Sequence, residues 1–167
     1  MDINISIIVI LLFIITTHFI LNIYIIKKNN IMGYDMGPKI GEVFPMEFIN
    51  DSKILNSYEI KKIAEGKKHM CFVSIGCESC ESVLEYLKKN HKEDHENIAL
   101  IVEGNKEEAE EWYKKNNYDF YSFYIEMKNM TQELKINRFP FIFILEDGTV
   151  KSKGPLFEEY IENYLTR

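Results

Sequence analysis

The chain has 167 residues, a formal net charge of −6, 46% hydrophobic residues and three cysteines. That is apolar material for one folded domain and little else. The acidic balance argues against a nucleic-acid surface, which needs clustered Lys and Arg. Three cysteines leave one pair and one remainder, so the chain is not a disulfide-stapled miniprotein. The acidic run Glu103 to Glu111 and the basic pairs Lys27-Lys28 and Lys67-Lys68 read as solvated faces.

Taken in order, Ile3 to Ile26 carries no Asp, Glu, Lys or Arg. At 1.5 Å per residue a helix of that length spans roughly 36 Å, more than the ~30 Å hydrocarbon core, so a tilted single-pass helix fits. The start Met1-Asp2, the absence of Ala before Ala64 and the absence of Cys before Cys71 disfavour a cleaved signal or a lipoprotein signal. The expectation is an uncleaved anchor over residues 1–28. Residues 29–45, with Gly33, Gly37, Pro38, Gly41 and Pro45, read as a linker. A folded domain over 46–167 follows. By the positive-inside rule, Lys27-Lys28 alone would hold that domain in the cytoplasm.

Within the domain, Met46 to Ile49 suggests a short strand and Tyr58 to Ala64 a short helix. Gly66-Lys67-Lys68 reads as a turn and His69 to Ile75 as a buried strand. Glu81 to Asn90 has helical spacing, with Val83, Leu84 and Leu87 on one face. Ile98 to Val102 is a continuous apolar run, as in a central parallel strand. Lys106 to Asn116 is a helix with Ala109, Trp112 and Tyr113 inward, and Tyr121 to Glu126 is extended. Thr131 to Ile136 is a helical turn. Phe139 to Leu145 and Thr149 to Lys153 flank the hairpin turn Asp147-Gly148. Leu156 to Leu165 closes the chain as a helix. The order β-α-β-α-β-turn-β-β-α implies a three-layer α/β/α sandwich with a mixed sheet.

The chemistry centres on Ser74-Ile75-Gly76-Cys77-Glu78-Ser79-Cys80, where a strand gives way to a helix. The first cysteine lands at the helix N-terminus, where unpaired N–H groups and the helix dipole favour a thiolate. A lowered thiol pKa there makes the sulfur nucleophilic. The second cysteine lies one turn on and can resolve a mixed disulfide. Cys77 and Cys80 are therefore the candidate catalytic pair.

This C-x-x-C, together with Arg138-Phe139-Pro140-Phe141-Ile142-Phe143 sixty residues later, resembles the thioredoxin-like superfamily. Gly37-Pro38-Lys39-Ile40-Gly41-Glu42-Val43-Phe44-Pro45 and Glu146-Asp147-Gly148-Thr149-Val150 are most similar to its membrane-anchored branch. That branch holds the TlpA-like thiol–disulfide oxidoreductases and, within them, the MauD type. The resemblance implies a thioredoxin-like domain behind one transmembrane helix, on the outer side of the cytoplasmic membrane, against the weak signal of Lys27-Lys28. It implies a cis Pro140, with Phe139 and Pro140 binding substrate chain. It implies exchange of disulfides with exported proteins through Cys77 and Cys80, without a cofactor, and a possible membrane redox partner.

The motif also departs from the thioredoxin pattern. Gly76 stands where an aromatic is usual and Glu78-Ser79 replaces a Pro-containing pair. Glu78 places negative charge beside the thiols, which opposes thiolate formation. Cys71 occupies the position of the buried Asp of thioredoxins, so it and Glu78 are candidate tuning residues. Three other readings compete. A zinc site from Cys77, Cys80, His91 and His95 would stretch its ligands along a helix, about 16 Å from Cys80 to His91, too far for tetrahedral coordination. No metal is therefore assigned. A copper carrier of this fold would use C-x-x-x-C and a late His, and no His follows His95. A peroxidase-like relative would use Ser74-x-x-Cys77. A tethered binding module without catalysis is the remaining alternative.

Overall fold

The structure, a computed structural model, describes residues 10–23, 36–51, 63, 65–91, 96–157 and 161. The chain divides into two units, Met1–Asp35 and Met36–Arg167. In the first, residues 10–23 are helical. Among the described residues no helix is long and apolar enough to cross a membrane. The flanks of the expected span, and most of the linker before residue 36, lie outside the described residues.

The second unit is built on one six-stranded sheet. Its strands are β1 (Asn50–Asp51), β2 (Lys67–Ser74), β3 (Ile98–Glu103), β4 (Tyr121–Ile125), β5 (Phe141–Glu146) and β6 (Thr149–Pro155), in the order β1-β4-β3-β2-β5-β6. Strands β2, β3 and β4 are parallel, whereas β1, β5 and β6 pair antiparallel. Helix α1 (Glu78–Asn90) joins β2 to β3, and α2 (Lys106–Asn116) joins β3 to β4. Both crossovers step the same way along the sheet. With right-handed connections, that lays both helices on one face.

Side-chain alternation along β2 sorts the core. Met70 and Phe72 face one cluster with Phe44, Phe141 and Phe143, closed by Ile63, Met130, Leu134 and Ile136. Cys71 and Val73 face the other, with Val83, Leu84 and Leu87 of α1, Ala109, Trp112 and Tyr113 of α2, and Ile161. The sheet is thus covered on both faces, which is why its central strands read as unbroken apolar runs. The hydroxyl of Tyr113 lies 2.9 Å from the carbonyls of both Leu100 and Phe123, so α2 is tied to β3 and β4 in the interior.

Several boundaries differ from the sequence expectation. Met46–Phe48 is a 3-10 turn after Pro45, closed by the Ile49 N–H on the Met46 carbonyl, and the strand is the next two residues. Lys67 and Lys68 belong to β2 because they pair with Glu146 and Leu145; the turn is left to Gly66 at φ +69°. The helical turn before β5 is a π-turn over Asn129–Glu133, with the Leu134 N–H on the Asn129 carbonyl. Strand β5 starts at Phe141, since Phe139 and Pro140 precede its ladder. The expected Tyr58–Ala64 helix is described only at Ile63, helical and buried. The closing helix is described only at Leu156, Phe157 and Ile161, where Ile161 N–H bonds the Phe157 carbonyl.

The candidate redox site

Strand β2 delivers the site. After Ser74 the chain turns through Ile75 and Gly76, the latter at φ +77°, a conformation that glycine adopts without strain. Cys77 is then the N-cap of α1, and Glu78 is the first helical residue. The helix therefore begins three residues earlier than the Glu81 expected from hydrophobic spacing. The capping group is a sulfur, which accepts the Cys80 N–H at 3.2 Å. Ser79 Oγ lies 3.4 Å from the same sulfur.

Cys77 and Cys80 are joined in a disulfide, with 5.2 Å between their Cα atoms. Their surroundings are unequal. Cys80 is fully buried in the helix-side cluster, whereas Cys77 is half-exposed at its border. An incoming group can reach only the Cys77 sulfur. Glu78 and Glu81 are exposed in the first turn of α1. Their charge favours the helix by opposing its dipole, and for the same reason disfavours a second negative charge on Cys77.

The register Phe72↔Phe141 puts the start of β5 beside the end of β2. The Phe139–Pro140 bond, which is cis, therefore lies at the same end of the sheet as the Cys77 turn. Phe139 and Cys77 border the same cluster. Pro140 is buried, and its carbonyl accepts the Leu156 N–H at 3.0 Å. Cys71 is a buried free thiol in the cluster that also holds Cys80. Burial pushes its pKa up from 9.0 to about 12, so it stays neutral at physiological pH. Cys77 and Cys80 lie at one end of α1 and His91 caps the other; His95 lies outside the described residues. Among the described residues no group of three His, Cys, Asp or Glu is placed to hold a metal.

The structure gives other residues near the site relations that the sequence reading did not assign them. Ser74 Oγ donates to Glu103 Oε2 at 2.5 Å, linking the ends of β2 and β3 beside the disulfide. Next to that bond lies a cleft of about 390 Å³ lined by Ile75, Glu103, Gly104, Glu108, Glu111, Trp112 and Lys115. In the sequence these were a solvated acidic run and a core tryptophan. Only the packing of α2 against the ends of β2 and β3 joins them.

No protein-family model and no curated protein matches the sequence. Solved structures do match. A thiol:disulfide interchange protein from Bacteroides sp. aligns with TM-score 0.55 at 16% identity, over 77% of this chain and 91% of that one. The thioredoxin domain of a thiol-disulfide oxidoreductase from Bacteroides vulgatus aligns with TM-score 0.57 at 17% identity, over 77% and 96%. An exposed lipoprotein thioredoxin from Streptococcus pneumoniae aligns with TM-score 0.51 at 16% identity, over 65% and 88%. The fold is thioredoxin-like.

Proposed function

We propose that the protein is a membrane-anchored thiol–disulfide oxidoreductase of the TlpA-like, MauD-type branch, working on exported proteins outside the cytoplasmic membrane. The observation that carries the redox reading is the asymmetric disulfide at a helix cap: Cys77 half-exposed and hydrogen-bonded by the Cys80 N–H, Cys80 buried.

The exchange balances without a cofactor. A substrate thiolate attacks the Cys77 sulfur, the Cys77–Cys80 bond breaks, and Cys80 leaves as a thiolate that takes up a proton. A second substrate thiolate attacks the substrate sulfur of the mixed disulfide and Cys77 leaves. The substrate gains one disulfide, and two electrons and two protons pass to the cysteine pair. Run backwards, the same steps reduce a substrate disulfide. The Cys80 N–H, already aimed at the Cys77 sulfur, stabilises the charge that this sulfur carries as it leaves in the second step, or as it attacks in the reverse reaction. Phe139, set by its cis bond to Pro140 at the same end of the sheet, presents its backbone to the substrate chain. Cys71 and Glu78 adjust the pair, the first through the buried cluster it shares with Cys80, the second through charge. A membrane redox partner restores the pair between cycles.

The anchor rests on residues 10–23, whose apolar side chains, including Ile10, Phe13, Phe19 and Ile20, are exposed. Thr16, Thr17 and Asn22 return their side-chain hydrogen bonds to carbonyls of the same helix. Such a helix suits lipid, where polar groups need internal partners.

Trapping tests the proposal. Cys80→Ser leaves a mixed disulfide on Cys77 unresolved, so partners accumulate as adducts cleaved by dithiothreitol. An impermeant maleimide applied to intact cells should label reduced Cys77. Adducts that persist in a Cys77→Ser, Cys80→Ser double variant would refute the assigned nucleophile; labelling only after lysis would refute the outward orientation.

A further inference from the structure

The cleft beside the disulfide is not used by the exchange chemistry itself. We propose that it receives a Lys or Arg side chain of the substrate polypeptide, next to the reacting cysteine. The proposal rests on the redox reading above and names the substrate class that the site prefers.

Position comes first. Ile75, on one wall, is two residues before Cys77 and 39% exposed. Glu103, on another, is bonded to Ser74, three residues before Cys77. The cleft therefore adjoins the turn that carries Cys77, on its β3 side, with Phe139 and Pro140 on the β5 side. Its volume, about 390 Å³, is at the small end of ligand sites and suits one long side chain rather than a folded element.

Chemistry comes second. Three carboxylates, Glu103, Glu108 and Glu111, face one ammonium, Lys115. Two of the three are already held in place. Glu103 Oε2 accepts from Ser74 Oγ, and Glu108 Oε2 accepts the Asn105 N–H at 3.0 Å in the capping box of α2. Binding thus requires little further ordering of the protein. The remaining lining is Ile75, Gly104 and Trp112, which carry no charge. A Lys or Arg side chain matches both halves: its aliphatic stem lies along Ile75 and Trp112, and its charge meets the carboxylates. An acidic side chain would meet like charge, and a short polar one would leave the apolar wall uncovered.

The test uses the reduced full chain in neutral detergent and three peptide disulfides, identical except for Lys, Gln or Glu flanking the reacting cysteine. Each rate constant is divided by that peptide's rate with dithiothreitol, which removes the peptide's own electrostatics. Lys should exceed Gln by about threefold to fivefold, as expected for an exposed ion pair, and Glu should fall below Gln. The preference should shrink as salt rises. Glu111→Lys should bring the Lys-to-Gln ratio to one or below. Glu47→Lys changes net charge equally from an exposed position on the 3-10 turn and should leave the ratio unchanged. Equal loss in both variants would assign the preference to overall charge and overturn the cleft. Exchange with all three peptides at equal rates would do the same while leaving the redox reading intact. Exchange with none would remove the redox reading and the cleft with it.

Discussion

Replacing Cys71 by Ala separates its burial from its chemistry. The comparison is made with Cys77 and Cys80 both changed to Ser, so that Cys71 is the one thiol left in a chain of three cysteines. Cys71 is 1% exposed, on β2 between Leu100 and Ile142. Deleting its sulfur removes one buried heavy atom and should cost about 1 kcal/mol near pH 7, by analogy with Ile→Val in a core. The pH dependence then runs the other way. The folded thiol titrates at about 12 and the unfolded one near 9.0. The raised value belongs to an acid kept neutral by burial, so the unfolded state loses its proton first as pH rises. Stability conferred by the neutral thiol is whole below the unfolded pKa and declines above it, with about 1.4 kcal/mol gone at about pH 10. The Ala variant lacks that loss. Its deficit should therefore close between about pH 8 and about pH 10, and the two unfolding curves should meet. The single tryptophan, Trp112, sits in the same cluster and reports urea unfolding by its fluorescence. Curves that stay parallel across this range would show that Cys71 titrates alike in both states, and would refute its placement in a dry interior.

Other perturbations probe the frame that holds the site. Gly37 has φ +68°, and a Cβ there would run into the ring of Phe143, so Gly37→Ala should lower the urea midpoint strongly, by about 2–4 kcal/mol of stability. A midpoint within error of the parent would contradict the packing of that segment on β5. Tyr113→Phe removes the hydroxyl that meets the Leu100 and Phe123 carbonyls and should cost about 1–2 kcal/mol, measured by the same denaturation. Cys71→Ala in the otherwise native chain should retain disulfide exchange with a shifted reduction potential, measured against a glutathione buffer. Abolished exchange would show that Cys71 takes part in the chemistry.

Much of the fold could be read locally because the determining interactions are local or periodic. The apolar runs of β2, β3 and β5, the helical spacing of Val83, Leu84 and Leu87, and the Asp147-Gly148 turn each carry their own signal. Boundaries failed where partners overrode that signal. Lys67 and Lys68 look like a turn, yet the ladder with Glu146 and Leu145 makes them strand. Hydrophobic spacing by itself starts α1 at Glu81, because a cap depends on polar groups that apolar periodicity ignores. The C-x-x-C reading places Cys77 at the helix N-terminus, and the structure has Cys77 as the cap.

The same division holds for the site. Sequence alone determined the cysteine pair, its spacing and its place between strand and helix, since all three lie within one contiguous stretch. Tertiary structure decided which sulfur is accessible, put Cys71 and Cys80 in one dry cluster, brought Phe139 and Pro140 to the Cys77 end of the sheet, and joined Ile75, Glu103, Glu111 and Trp112 around a cleft. These are relations between residues far apart along the chain. They are fixed by strand order and by which face each side chain takes, and no local pattern of residues encodes either.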